Sequence, residues 1–151
     1  MKVKVPDDVK KWEERRKMSP YERERYTRDV IRRVLEMNPD GVTVSELEKV
    51  LPFGRKAIEK HLLALTTANE AYAEVRGATV IYYSNTAGIV KNTRKVVELG
   101  EHKYELSVVR NKRGEFVLVR QIEEDETAGG IVIPKSEFER FVEFLKLAME
   151  S

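Results

Sequence analysis

Cysteine is absent from the 151 residues. That excludes disulfides, thiolate zinc sites and cysteine nucleophiles together. Histidine occurs only at His61 and His102, which leaves little material for metal or triad chemistry. Long apolar runs are missing too: none approaches the ~18 residues a bilayer span needs. Met1 to Val5 alternates Lys and Val and runs into Pro6, Asp7 and Asp8 without an apolar h-region. No secretory signal or membrane segment is therefore expected, and a cytoplasmic location is the simple reading. Charged residues make up 36% and hydrophobic ones 41%, too apolar for a disordered chain and too charged for a membrane protein. High Lys, Arg and Glu with a single glutamine, Gln121, also fits a thermophilic source.

The net charge of +2 says less than its distribution. Residues 1–93 hold 18 Lys and Arg against 14 Asp and Glu, an excess of four; residues 94–151 hold 10 against 12, a deficit of two. An anionic partner is therefore expected on the N-terminal part.

Punctuation divides the chain. Residues 7–18 (DDVKKWEERRKM) read as a short charged helix with Val9 and Trp12 three apart; residues 1–18 form an N-terminal arm. Ser19-Pro20-Tyr21-Glu22 is a capping box with proline at the first helical position. The helix it opens carries Tyr26, Val30, Ile31, Val34, Leu35 and Met37 at a period of 3.6. Asn38-Pro39-Asp40-Gly41 stops it. Thr43-Val44-Ser45-Glu46 is a second capping box, opening a short helix with Val44, Leu47, Val50 and Leu51 facing inward. Pro52-Phe53-Gly54 breaks that helix, and a third runs from Arg55 to Thr67 with Ile58, Leu62 and Leu65 on one stripe. The period then changes to two: Tyr72 to Val75 and Thr79 to Tyr83 flank Arg76-Gly77-Ala78, a hairpin signal.

Residues 85–93 (NTAGIVKNT) read as a linker. Beyond it, Arg94 to Leu99 alternates weakly before a turn at Gly100-Glu101-His102. Tyr104, Leu106 and Val108 share one strand face, and Asn111-Lys112-Arg113-Gly114 is a basic turn. Phe116 to Ile122 is a strand with Phe116, Leu118 and Ile122 on one face and Val117 and Val119 on the other. Glu123-Glu124-Asp125-Glu126 is a solvated acidic loop, since four consecutive acids cannot converge on one cation. Ile131-Val132-Ile133 is a short strand ended by Pro134, and Ser136-Glu137-Phe138-Glu139 caps the last helix. That helix carries Phe138, Phe141, Val142, Leu145 and Ala148 on one stripe, and Phe144, Leu147 and Met149 in addition. One small sheet needs one stripe covered. The surplus is expected to meet either the preceding domain or the same helix of a second subunit, and a homodimer through Phe141, Phe144, Leu145 and Leu147 is the favoured expectation.

The expected fold class is α+β, with a helical domain at 19–88 and a four-strand antiparallel meander plus helix at 94–151. Val42 to Leu47, Gly54 to Leu65 and the Tyr72 to Tyr83 hairpin make residues 20–84 resemble winged helix-turn-helix regulators of the arsenical-resistance and multiple-antibiotic-resistance type. The resemblance implies double-stranded DNA binding, the third helix in the major groove and the hairpin, or wing, on phosphate or the minor groove. With Ile58 set at zero on a wheel turning ~100° per residue, Lys56 and Lys60 fall near the opposite side, suited to phosphate or guanine. Thr43 and Ser45 lie at a helix N-terminus that could favour a phosphate, Arg55 begins the third helix, and Arg76 lies at the wing tip. These six residues are the expected DNA contacts. His61 reads as a packed neighbour of Leu62, and Tyr82 and Tyr83 as wing-strand packing.

Residues 94–150 bear a fainter resemblance, in element order and in the Ile131 to Phe141 stretch, to the Whirly and transcriptional-coactivator type of single-stranded-DNA-binding domain. It implies strand binding on a sheet face, for which Tyr104, Arg110, Lys112, Arg113 and Arg120 are the candidates; the plainer alternative is a dimerisation domain. No nucleophile–base pair, phosphate-cradling glycine loop or metal-ligand spacing occurs, so neither catalysis nor a cofactor nor a metal is expected, and no small-molecule pocket is evident. The expected function is a DNA-binding transcriptional regulator. The alternatives are a single-strand-binding protein or a non-catalytic interaction module of a transcription or repair assembly.

Overall fold

The computed structural model describes residues 2–88, 93–111, 113–124 and 126–150. They form two compact units, dividing between Ala87 and Gly88. Five helices and six strands follow in the order α1 (Trp12–Arg15), α2 (Pro20–Met37), α3 (Val44–Val50), α4 (Arg55–Thr67), β1 (Ala71–Arg76), β2 (Thr79–Ser84), β3 (Lys95–Leu99), β4 (His102–Asn111), β5 (Gly114–Glu123), β6 (Glu126–Pro134) and α5 (Phe138–Met149). The class is α+β: helices and a two-strand hairpin, then a four-strand antiparallel meander and a final helix.

In the first unit both capping boxes form. Ser19 Oγ accepts from Glu22 N at 3.2 Å while the Glu22 carboxylate accepts from Ser19 N. Thr43 and Glu46 make the same reciprocal pair at α3. The 3.6-residue stripe of α2 supplies Val30, Ile31, Val34 and Leu35 to a core completed by Leu47, Ile58, Leu62, Leu65, Phe53 and Ala71. Val50 and Met37 are exposed, contrary to the inward placing of Val50. The capping box fixes where α3 starts, and its last turn extends past the core.

Residues β1 and β2 pair antiparallel from Ala71↔Ser84 to Arg76↔Thr79 about a two-residue Gly77-Ala78 loop, with Gly77 at φ 63°. Tyr72 and Tyr83 stack at 5.0 Å and are buried, and Tyr82 is half-buried on the helical core. Val42, between α2 and α3, bridges to Tyr82 through two backbone hydrogen bonds of 3.0 and 2.8 Å. That bridge ties the α2–α3 connection to the hairpin.

The expected helix over 7–18 is shorter than its charge pattern implied. Only Trp12–Arg15 is helical, and Trp12 is half exposed. The rest of the arm runs without regular structure across the first unit. Val3, Val5 and Val9 pack on the core, the Asn38 side chain exchanges two hydrogen bonds with Lys4, and Lys10 N donates to the Tyr26 hydroxyl at 2.7 Å.

In the second unit the strand order is β3-β4-β5-β6, every pair antiparallel. Three readings need correction. The more buried face of β4 carries Glu105, Ser107 and Val109, and Tyr104, Leu106 and Val108 are only half-buried. Val109 clusters with Phe116, Leu118 and Val132, and Glu105 joins them because arginines neutralise it. β6 spans nine residues rather than the three of the apolar run, its early part paired to β5 through Gly129 and Gly130. Ser136 does not cap α5; a single 3-10 turn, Lys135–Glu137, leads into it without a side-chain cap.

Candidate nucleic-acid interface

α4 is two-sided. Ile58, His61, Leu62 and Leu65 are buried, while Arg55, Lys56, Glu59, Lys60 and Leu63 are exposed. The burial follows from the 3.6-residue spacing and leaves one charged stripe in water. Beside it lies an open cleft of about 780 Å³ lined by Thr43, Ser45, Lys49, Arg55, Glu59 and, from the hairpin, Thr79. Three of the expected contacts, Thr43, Ser45 and Arg55, thus meet the hairpin at one place. Lys56 and Lys60 continue along α4, and Arg76 stands at the hairpin end.

The cations are largely matched by acids. Arg55 reaches Glu48 and Glu59, each at 3.2 Å. Lys60 Nζ lies 2.8 Å from Glu24 on α2, and Arg76 lies 3.4 Å from Glu74. Lys49 and Lys56 are exposed and make no ion pair among the described residues. The N-terminus of α3 is not an anion site: the Glu46 carboxylate occupies it, and the Thr43 hydroxyl already accepts from Glu46 N.

Sequence reasoning missed the group behind Lys60. His61 is 2% exposed, as its packed reading required. Arg28 Nε donates to its Nδ1 at 3.4 Å, and its Nε2 turns to the Glu24 carboxylate at 3.4 Å. The Lys60 hydrogen bond holds the Glu24 carboxyl below the usual carboxylate range, against an opposing push from burial. Glu24 and Arg28 are four apart on α2, a spacing that was the available signal, but only the packing of α2 on α4 shows what lies between them.

The second unit does not gather its expected single-strand contacts. Register places Tyr104 and Arg110 on one sheet face and Arg120 on the other, because Arg120 opposes Glu105. Arg120 binds Glu105 at 2.6 Å and is largely buried. Arg110 is held by Glu115, whose carboxyl is kept below its ordinary range by hydrogen bonds from Arg110 and then Lys135. The Arg113 guanidinium sits over Phe116, 5.5 Å from its ring centre. Lys112 lies outside the described residues.

Among the expected dimer contacts, Phe141 is half-buried while Phe144, Leu145 and Leu147 are exposed. Among the described residues no group of three or more His, Cys, Asp or Glu could hold a metal ion, and no helix is long and apolar enough to cross a membrane.

No protein-family model, curated protein or solved structure matches the chain.

Proposed function

We propose that the first unit is a winged helix that binds double-stranded DNA and acts as a non-catalytic transcriptional regulator. The observation that carries this reading is the exposed stripe of α4, with Arg55, Lys56 and Lys60 beside a hairpin that is itself tied to the helices through Val42 and Tyr82. A helix with one face locked into a core and the other offering cations can enter a major groove without unfolding anything. The ion pairs at Arg55 and Lys60 are solvent-exposed, so each is worth about 1 kcal/mol or less and can be exchanged for phosphate. Lys49 and Lys56 are available without exchange. Neutralised phosphates release counterions, so affinity falls steeply with salt.

A second reading is favoured by a specific observation. The face is charge-balanced, and it exposes Leu63 at 68% and Val75 at 74%, as a protein-docking module would.

Electrophoretic retardation of genomic fragments, run from low to moderate salt, tests the first reading. Duplex is retained at low salt and released as salt rises, and Lys56→Glu with Lys60→Glu abolishes retention. Absence of any retained fragment at low salt overturns it in favour of the docking module.

A further inference from the structure

Arg23 has no acid of its own. Arg32, Arg33, Arg55, Arg94 and Arg120 each meet a carboxylate. The Arg23 guanidinium instead lies over the Trp12 ring, 5.2 Å from its centre, and makes no hydrogen bond or ion pair among the described residues. Arg15 approaches the same ring at 5.6 Å, so two like charges share one indole. Burial and, more weakly, the Arg23 charge both push the Arg15 pKa down. The neighbouring acids are engaged or turned away. Glu22 is held in the capping box of α2 and Glu24 by Lys60. On α1, at ~100° per residue, Glu13 and Glu14 fall about 100° and 160° from Trp12, whereas Arg16 falls about 40° from it. The Lys11, Arg16 and Lys17 side chains are exposed and unpaired among the described residues.

Cations gathered without acids repel one another, and an anion relieves that repulsion. Arg23 is also held ready. The ring beneath it limits its side-chain freedom, so little is left to lose when its planar fork takes two oxygens of a phosphate. Nothing encloses a small anion there: Trp12 is 53% exposed and the flanking cations stand in water. Single contacts of that kind are weak, but a polyanion engages several at once and releases a counterion for each. The place of this corner relative to α4 is fixed. Arg15 donates to the carbonyl of Pro52, just ahead of α4, and Glu24, next to Arg23, reaches Lys60 on α4. Cations beside a helix in the major groove meet the strand backbone that walls the groove.

We infer that Arg16, Lys17 and the Trp12-supported Arg23 form a second phosphate clamp, which grips the duplex backbone flanking the segment under α4. The clamp rests on the reading of α4 as a DNA-binding helix and adds the N-terminal arm to its footprint.

Trp12 is the only tryptophan, so its fluorescence reports on the clamp itself. The full-length chain is titrated with a mixed-sequence duplex of about 25 base pairs, more than two helical turns, at low and moderate salt. Trp12 emission changes saturably with duplex and is unchanged by millimolar inorganic phosphate at matched ionic strength. Arg16→Gln with Arg23→Gln keeps the circular dichroism spectrum, weakens binding about tenfold and lowers the slope of log affinity against log salt by about two, one for each phosphate lost. Arg16→Gln with Lys17→Gln, both fully on the surface, repeats that loss if Arg23→Gln disturbs the corner. Arg140→Gln with Lys146→Gln removes the same charge from α5 and leaves affinity and slope as in the wild type. Arm variants with wild-type affinity and slope overturn the inference and leave the α4 reading standing. So do an equal loss in the α5 variant, a bound duplex that leaves Trp12 emission unchanged, or a saturable response to inorganic phosphate. Loss in the arm variants with full binding by Lys56→Glu/Lys60→Glu overturns the α4 reading and keeps the clamp, and a wild type that binds no duplex at low salt overturns both.

Discussion

Arg120 and Glu105 oppose one another on β5 and β4, with Nη2 2.6 Å from Oε1 in a site where Glu105 is 3% exposed. Arg94, just before β3, reaches the other carboxylate oxygen at 2.9 Å, and Arg120 continues to Thr127 at 3.3 Å, so one polar row runs from the entry to β3 across β4 and β5 to β6. Burial alone would push the Glu105 carboxyl up. The hydrogen bonds and charges of Arg120 and Arg94 outweigh it and hold the group below the ordinary range. A carboxyl depressed in the folded state contributes stability above its unfolded value of about 4.5 and loses it as pH falls through the folded value. Thermal melts of the chain between pH 6 and 3 therefore show an acid-labile transition for the second unit. Glu105→Gln lowers that transition at neutral pH and flattens its dependence below pH 4.5. Arg120→Leu costs about 3 kcal/mol, since it takes away the buried cation and leaves the buried carboxylate to the exposed Arg94. A melt of Glu105→Gln that keeps the wild-type acid slope counts against this assignment.

Gly41 is required at the corner between α2 and α3. It has φ 89°, and a Cβ built there would lie 2.4 Å from Ile81 Cγ2 and 2.7 Å from the Tyr83 ring. The neighbouring Val42–Tyr82 bridge prevents the corner from moving off the hairpin. Gly41→Ala is expected to destabilise the first unit by about 2–3 kcal/mol, from positive φ and overpacking together. Gly77, also at positive φ but facing open space, loses only about 1 kcal/mol as alanine. Chemical denaturation of the two variants checks the ordering, and equal losses would contradict it.

The elements legible in the sequence were those with a local chemical cause. Capping boxes at Ser19 and Thr43, the breaker Pro52-Phe53-Gly54 and the stripe through Ile58 fix α2, α3 and α4, since each is settled within a few residues. The meander was legible for the same reason, from alternation and turn residues. What failed depends on partners far along the chain. Glu105 breaks the apolar alternation of β4, so the face bearing Leu106 and Val108 reads as the core; only the opposing arginines make burial of Glu105 favourable. Lys60 reads as a free cation from its own helix, and Glu24 lies 36 residues away. Arg120 reads as a single-strand contact until register turns it to the face opposite Tyr104.

Glu24 acts as a brake on the proposed DNA contact. It holds Lys60 at 2.8 Å and adds a negative charge close to any phosphate approaching α4. Glu24→Gln removes that charge and keeps a hydrogen-bond acceptor for Lys60. Duplex affinity is expected to rise about three- to tenfold at low salt, and the gain shrinks as salt screens the charge. Anisotropy titrations of the two proteins at two salt concentrations measure it. An unchanged affinity would place the phosphates away from this end of α4.

Arg15 shows why the N-terminal arm belongs to the first unit. The residue is 8% exposed; its guanidinium donates to Pro52 O at 2.8 Å and to Lys10 O at 3.2 Å, and lies over Phe53, 4.8 Å from the ring centre. Pro52 and Phe53 form the turn joining α3 to α4, so one planar cation fastens the arm to the segment that sets the angle of the candidate interface. Burial shifts its pKa downward from the ordinary arginine value, yet it remains charged throughout the accessible pH range. Arg15→Ala leaves the Pro52 carbonyl without this donor and the Phe53 ring without its cover, at about 2–3 kcal/mol. Arg15→Lys recovers little, because an ammonium cannot stack flat on Phe53 while donating in two directions. In a unit of this size such a loss lowers Tm by about 10–15 °C. A thermal melt in which lysine restores the wild-type midpoint would show that charge alone, and not the guanidinium plane, holds the arm.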